Sequence, residues 1–561
     1  MEAKISEIIK ELFDIDVTVK TTRPDPQFGD YATNVALQLA GRLGKNPREV
    51  AEAIAAKLKE TGDYSDVSIA GPGFINIKVA AKSLAVSLND AWNDNYGGND
   101  DGAGKTVVVE YPSPNMAKPY SVGHLRPGNQ GWATKRLMDV TGWNVITDNH
   151  LGDYGAPLGI WIAGFLKFSS DEALEKDGVY ELGRVYIETK KYLKEEKERD
   201  ETALADEVQQ WLIKFEAGDE TAKAYSQRFN KISLEHIHTV MERLHISTDY
   251  ELGEAFFAPR GKEAVQKLMG SGIAVQNEDG SIIVPLDDSG FDVPLLVQKS
   301  NGAALYATSD LATILYREQE WHPDKVIYAV GAEQQFYFSQ LFAMAKKLGI
   351  NTELVHLWFG VIDQLNEDGT REKMSSRKGV VLMEALLDEA EAHARKVVEG
   401  RDVSEEDIKK IALGAIKFSD FVSDRRTNIL FDWNTIFALS GFSGPYVQYA
   451  AVRVNKILRE NEGGEAFVEN YDYEAEKALL AKLLEYPAEI RLAAKDIEPH
   501  RIAAYLYELA RELNRYYEVT PVATGDVTGE QKSARLGVLR KVSHIFEHGL
   551  SVLGIEVPMQ M

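Results

Sequence analysis

Two short segments carry residue types that could handle a nucleotide phosphate. The first is EYPSPNMAKPYSVGHLRPGNQG at 110–131. It directly follows the apolar run TVVVEY at 106–111 and opens into helical spacing. A turn from a buried strand into a helix presents unpaired backbone N–H groups and a positive dipole end, which suits an anion. Gly123 would let the flat face of a ligand approach the backbone, and His124 could donate to a phosphate oxygen. The second segment is EKMSSRKG at 372–379. Lys373, Arg377 and Lys378 could neutralise a triphosphate, while Ser375, Ser376 and Gly379 permit a loop to close. Each segment alone has a plainer reading, a turn with a surface histidine and a solvated basic loop. Their joint presence is what makes them informative.

The elements around them must be able to bring them together. Beside TVVVEY, three more runs read as buried strands: WNVITD at 143–148, KVIYAV at 325–330 and LVHLWFGVI at 354–362. Short apolar-centred runs of this kind fit parallel strands covered on both faces. Helical patterns in GNQGWATKRLMDVTG and QQFYFSQLFAMAKKLG join the first pair and the second pair. Strand–helix–strand alternation predicts a doubly wound α/β domain. Residues about 169–246 are charged and helical without a sustained heptad, and so read as a helical insertion rather than a coiled coil.

The chain ends suggest further units. In residues 1 to about 90, GDYATNVALQLAGRL and PREVAEAIAAKLKE have helical spacing, and SIAGPGFINIKVA reads as a turn into an alternating strand. NDNYGGNDDGAG, 93–104, is the clearest linker. From about 431 the pattern is helical again, best in YVQYAAVRVNKILRE and RIAAYLYELARELNRYYE. The expected architecture is an α/β chain. A Rossmann-like doubly wound catalytic domain spans 105–390 with its helical insertion. An α+β domain precedes it at 1–92, a helical connector follows at 391–430, and an all-α bundle closes the chain at 431–561.

Composition sets the bounds. A chain of 561 residues suggests three to four domains at roughly 150 residues each. It contains no cysteine, which excludes disulfides, iron–sulfur clusters and thiolate zinc sites. No metal site of the protein's own is expected. The N-terminus lacks a signal-peptide layout, and the most apolar window, 155–166, is about half a membrane span. A cytoplasmic protein without membrane attachment is the expectation. The net charge of −24 counts against a nucleic-acid partner, since phosphate contacts need Lys and Arg, but leaves room for a local basic face.

The two opening segments resemble a paired signature. SVGH occupies the place of H-x-G-H in class I aminoacyl-tRNA synthetases, and KMSSR matches their K-M-S-K-S loop. SPNMAKPYSVGHLR is similar to the arginyl family's form. So are PQFGDYATNVALQLA (26–40), NHLGDYG (149–155), YATSDLA (306–312) and GPYVQYAAVR (444–453). The resemblance spans nearly the whole chain, in family order. It implies activation of arginine with ATP, accompanied by Mg2+, to arginyl-adenylate, then transfer to the terminal ribose of tRNA(Arg). In the family the first step generally requires bound tRNA, and a monomer is expected.

The same resemblance assigns residues. Ser121, Gly123, His124, Lys373, Met374, Ser375, Ser376 and Arg377 would form the ATP site. Ser121, Gly123, His124 and Lys373, with Lys118 as a further cation, would stabilise the reacting phosphate. Glu110, Ser113, Asn115, Tyr306, Asp310 and Gln334 would hold arginine, with Asp310 and Tyr306 facing its guanidinium. Tyr306 and Asp310 are four apart and would share a helix face, although Asp310 in ATSDLAT also suits a helix N-cap. Residues 1–92 and the C-terminal helices would both contact tRNA, the latter through Arg511, Arg515, Lys532, Arg535, Arg540 and Lys541. Two departures touch the ATP site: Ser121 replaces the first signature histidine, and Pro127 stands where the family usually has Ser. Ser121 keeps open the alternative of a degenerate, tRNA-binding relative without activation activity.

Overall fold

A computed structural model describes the chain apart from residues 23, 26, 155, 302–304, 366–368, 375–380 and 466, and the side chains of 156 and 216. Two compact units emerge. One comprises Met1–Gly97, Arg453–Ala488 and Glu508–Phe546; the other comprises Gly98–Val452, Glu489–Tyr507 and Glu547–Met561.

The second unit is built on four parallel strands: β1 (Thr106–Glu110), β2 (Asn144–Asp148), β3 (Lys325–Tyr328) and β4 (Glu353–His356). Helix α1 (Leu125–Val140) connects β1 to β2, α2 (Tyr306–Glu320) leads into β3, and α3 (Gln335–Lys347) connects β3 to β4. The sheet order is β4-β3-β1-β2. The winding direction therefore reverses between β1 and β3. In open α/β sheets ligands bind at such a reversal, outside the carboxyl ends of the strands. Residue alternation builds the layers. Val107 and Val109 pack with Met138 and Ile327 on one face, while Val108 packs with Leu311, Val326 and Leu341 on the other. All three valines are fully buried, which is why the run shows no polar alternation.

Between β2 and α2 lies the insertion, with helices Asp171–Asp177, Val179–Glu198, Ala203–Glu216 and Glu220–Arg243. Asp219 starts the last of these, accepting from the backbone N–H groups of Thr221 and Ala222. The expected fourth strand, 354–362, divides in two. Glu353–His356 joins the parallel sheet. Ile362–Leu365 pairs instead with Arg371–Lys373 and Ile429–Leu430 in a separate sheet. The apolar run is continuous because both stretches face hydrophobic layers, so hydrophobicity alone does not mark the break. A further antiparallel sheet, Val275–Gln276, Ile282–Val284 and Leu295–Gln298, has no counterpart among the expected strands.

In the first unit a three-stranded antiparallel sheet, ordered Tyr31–Thr33, Phe74–Val79, Tyr64–Ala70, is packed by helices Glu2–Phe13, Val35–Leu43 and Pro47–Glu60. The helical spacing in GDYATNV gives way to strand at Tyr31–Thr33, where pairing with Ile75–Ile77 overrides local preference. The 93–104 segment is turn-rich, yet its Tyr96 is buried and donates its hydroxyl to the Leu483 carbonyl at 3.0 Å. Arg535 is also buried, bonded to the Tyr471 hydroxyl and the Pro521 carbonyl, and so is withdrawn from any surface role.

Close packing ties α1 to β1. A Cβ placed on Gly131 would lie 2.4 Å from Tyr111, whose side chain is fully buried. Gly131→Ala must therefore push α1, and the turn before it, away from β1. The expected loss is about 2 kcal/mol of stability, read as a lower urea midpoint at unchanged slope. A midpoint equal to wild type would show that the contact is easily relieved.

Candidate active site

The chain leaves β1 at Glu110 and crosses the sheet's carboxyl edge before turning into α1. Two residues on this path, Ser113 and Ala117, hold left-handed backbone angles (φ 54° and 52°) that non-glycine residues rarely adopt. Each is fixed by a distant side chain. The Ser113 N–H donates to Asn149 Oδ1 at 3.1 Å, and the Ala117 N–H donates to Ser233 Oγ at 2.8 Å. The Tyr120 N–H donates to His236 Nε2 at 3.0 Å. Ser233 and His236 belong to the last insertion helix, so the insertion shapes the path into α1.

A single helical turn, Val122–His124, precedes α1. The Ser121 N–H donates to His124 Nδ1 at 3.2 Å, with Ser121 Oγ 3.4 Å from the same nitrogen. An Nδ1 that accepts leaves the proton of the neutral ring on Nε2. Burial, reinforced by the Lys118 charge, pushes the His124 imidazole down to about 4, so the ring is neutral at physiological pH. Ser121 thus orients His124. Pro127 sits in the first turn of α1, where a missing N–H breaks no helical bond but leaves one fewer donor for an anion.

A cleft of about 190 Å³ opens at the reversal between β1 and β3. Ser113 and Gly123 from the first segment meet Lys373 and Met374 from the second across it, with Phe359 and Gly360 on another wall. Among the described residues a Cβ on Gly123 would meet nothing nearer than Ser121 Oγ at 3.4 Å. The glycine keeps that wall open toward the cleft. Lys373 ends the strand Arg371–Lys373, and the Met374 N–H donates to the Ile362 carbonyl at 2.9 Å. Ser375, Ser376 and Arg377 lie outside the described residues. Beyond them, Val381 accepts from the Val122 N–H and the Met383 N–H donates to the Tyr120 carbonyl, both at 3.0 Å. Lys118 turns its ammonium over the Tyr186 ring, 4.8 Å from the centroid, and is not among the described cleft-lining residues.

Arg126 supports the cleft from behind. It is 2% exposed, bonds Asp420 at 2.8 Å and donates to the carbonyls of Gly360 and Thr427 at 2.8 and 2.9 Å. It lies inside the quoted signature, but nothing in the sequence indicates a partner 294 positions away.

Beside the cleft is an acidic pocket. Asp310 lies one turn inside α2, which begins at Tyr306 with Leu305 as its cap, so Asp310 is not a capping residue. The Tyr337 hydroxyl donates to Asp310 Oδ2. Burial pushes the Asp310 carboxyl up to about 6, and Glu254 up to about 7. Tyr306 is 69% exposed at the rim. Asn115 is exposed and bridges to Gly152, and Gln334 is exposed on the single turn Ala332–Gln334. Glu110 is buried and already engaged: Arg317 Nη2 lies 2.6 Å from Glu110 and 2.7 Å from Asp148. Among the described residues, Glu110, Asp148 and His150 have the spacing that could take a cation, but Arg317 already supplies positive charge to two of them. Sequence reasoning missed Arg317, Glu254 and Tyr337. Only Arg317 had a signal, its helical spacing from Asp310.

Residues 89–433 match the family described as tRNA synthetases class I (R), catalytic domain. Residues 447–561 match the DALR anticodon binding domain, and 1–79 match the Arginyl tRNA synthetase N terminal domain. The chain is 33% identical to an arginine–tRNA ligase of Fusobacterium nucleatum over 571 aligned residues, covering 98% of this chain and 96% of the relative. It is 35% identical to that of Lactobacillus delbrueckii subsp. bulgaricus, covering 97% and 96%. Its fold is similar to that of Thermus thermophilus arginyl-tRNA synthetase, with a TM-score of 0.79 at 22% identity over 100% of this chain and 99% of that one. The Plasmodium falciparum enzyme gives 0.76 at 23% identity, covering 100% and 98%. With its catalytic region matched over more than half the chain and relatives aligned almost end to end, the chain belongs to the arginyl-tRNA synthetase family.

Proposed function

We propose that this chain is an arginine–tRNA ligase that activates arginine with ATP and transfers it to the terminal ribose of tRNA(Arg). The observation that carries the reading is that an open cleft reached by Gly123 and Lys373 and the buried carboxylate Asp310, within reach of the Glu110 charge at the end of β1, lie at the carboxyl edge of one sheet. A fixed carboxylate beside a phosphate-accepting turn is what guanidinium recognition next to nucleotide chemistry requires.

In the first step an arginine carboxylate oxygen attacks the α-phosphorus of ATP. The bond to the bridging oxygen breaks, and its electrons leave with pyrophosphate. Catalysis here consists of positioning and charge stabilisation. In our reading His124 donates Nε2–H to a phosphate oxygen as a neutral group, and Lys373 supplies positive charge. Ser375, Ser376 and Arg377 would complete the loop. Mg2+ would arrive with the triphosphate. Glu333 is the single carboxylate among the described cleft-lining residues, so phosphate and water would supply most metal ligands. In the second step a ribose hydroxyl of the tRNA attacks the carbonyl carbon, and AMP departs.

Ser113, Asn115 and Gln334 would hold the arginine backbone, with Tyr306 and Asp310 at its guanidinium. Glu110 would act from behind through Arg317. Residues 1–92 and the helices of 431–561 are proposed to bind tRNA, flanking a catalytic region at 105–390 and a connector at 391–430. No helix among the described residues is long and apolar enough to cross a membrane. A cytoplasmic monomer remains the expectation.

Asp310→Asn should weaken arginine by about 3 kcal/mol, roughly 150-fold in KM, and leave the KM for ATP nearly unchanged. Pyrophosphate exchange with cognate tRNA present measures both, and an unaltered arginine KM would remove Asp310 from the pocket. In wild type, kcat/KM for arginine should fall as the pH drops through about 6. A carboxyl with a raised pKa takes up its proton at higher pH, and the neutral acid cannot pair with the guanidinium. A flat profile from pH 5 to 8 would contradict this. Ser121→Ala should cost less than about tenfold in adenylate formation, because the backbone N–H still holds His124. His124→Ala should cost roughly 100-fold or more. Single-turnover rates distinguish the two, and equal losses would mean that Ser121 itself contacts the nucleotide.

A further inference from the structure

The protein keeps an arginine of its own inside the pocket proposed for arginine. Arg317 is fully buried, and its Nη2 bridges Glu110 at the end of β1 and Asp148 at the end of β2. Its remaining nitrogens, Nε and Nη1, are buried without hydrogen-bond partners among the described residues. It shares α2 with Tyr306 and Asp310, spaced at roughly one and then two helical turns, so all three lie along one face. The helix that offers Tyr306 and Asp310 to a ligand therefore carries a guanidinium about two turns deeper.

We infer that Arg317 is a positioning residue for substrate specificity: by occupying Glu110 and Asp148 it leaves Asp310 as the charged carboxylate open to the substrate's guanidinium. This rests on the arginine reading of the pocket. The groups acting on Asp310 come from every surrounding element. They are Glu110 from β1, His150 after β2, Arg317 on α2 and the Tyr337 hydroxyl from α3. Glu254, on the helix Glu254–Gly270, senses Asp310, His150 and Asp153, and Tyr328 from β3 lies against the Arg317 guanidinium. Five acids gather around it: Glu110, Asp148, Asp153, Asp310 and Glu254. Arg317 is the fixed cation among them. Without it, mutual repulsion would drive the acids to hold protons, and a protonated Asp310 offers no charge to the ligand. A freed Glu110 would also compete for the substrate's guanidinium and shift its carboxylate out of line with the α-phosphate.

Three variants separate charge balance from packing: Arg317→Met, Arg317→Lys and the double variant Glu110→Gln/Arg317→Met, which has the same net charge in the cluster as wild type. Each is first checked for a cooperative thermal transition. Then kcat/KM for arginine is followed against pH, and the KM values for arginine and ATP are measured at neutral pH. Arg317→Met should raise the arginine KM at least about tenfold, with the ATP KM within about twofold. Its acid limb should move up by about one pH unit. Arg317→Lys and the double variant should keep the limb at the wild-type position. An unmoved limb in folded Arg317→Met overturns the inference, as does a parallel rise in both KM values. If Arg317→Met does not fold, a displaced limb in either of the other variants overturns it, and wild-type limbs in both uphold it. Wild type that fails to activate arginine with tRNA present would overturn the proposed function itself, before any variant is compared.

Discussion

One buried guanidinium ties together the ends of three elements. Arg317 on α2 holds Glu110 at the end of β1 and Asp148 at the end of β2. Buried charges are costly unless paired, and removing one partner strands the others. The triad therefore fixes where α2 crosses the carboxyl edge of the sheet. Because α2 also carries Tyr306 and Asp310, the position of the acidic pocket follows from the same contact. The reversal of winding between β1 and β3 opens the cleft at the same carboxyl edge of the sheet.

The turn before α1 depends on a second set of constraints, and these come from outside the sheet. Ser113 and Ala117 stay in left-handed conformations because Asn149 and Ser233 accept their N–H groups. A residue held in such a conformation costs on the order of 1–2 kcal/mol, which one good hydrogen bond offsets in part. The helical insertion thus has a local task, holding the path from β1 into α1. The chain on the far side of the KMSSR segment is bonded to the same path through Val381 and Met383. Ser121 keeps a backbone contact to His124 in place. The position orients a neutral histidine through its backbone, a task that any residue other than proline can perform.

A net charge of −24 does not describe any one surface, and a lysine or arginine in a helical stretch is not automatically free for a phosphate. Arg535 is buried among Tyr471, Glu476 and Pro521, and Arg540 donates to the Gly463 carbonyl. Arg515 pairs with Glu512, and Lys541 lies over the Trp92 ring. These contacts are internal to the first unit. Side chains seen in the sequence as a basic face are partly structural.

Much of the molecule was legible from local pattern. The valine run of TVVVEY is β1, the helical spacing after SVGH is α1, and the charged stretch at 169–246 is helical. The paired signature and the quoted family segments led to the family. These features are written within a few residues of one another, because strand burial, helix periodicity and turn chemistry are local properties. What lay beyond the sequence depends on contacts between distant positions. Glu110 reads as a ligand of the substrate until the fold places Arg317, 207 residues away, against it. The contact of Lys118 with the Tyr186 ring, contributed by the insertion, is likewise invisible in the sequence. The run at 354–362 reads as one strand until two different sheets claim its ends. Glu254 has no local signature, and its raised pKa comes from burial beside Asp310 and Asp153. Residue types and their short spacings established which chemistry the chain can perform. Only the tertiary structure decided which charges are left open for it, because a buried charge is governed by the partner that reaches it, and that partner is fixed by packing rather than by sequence distance.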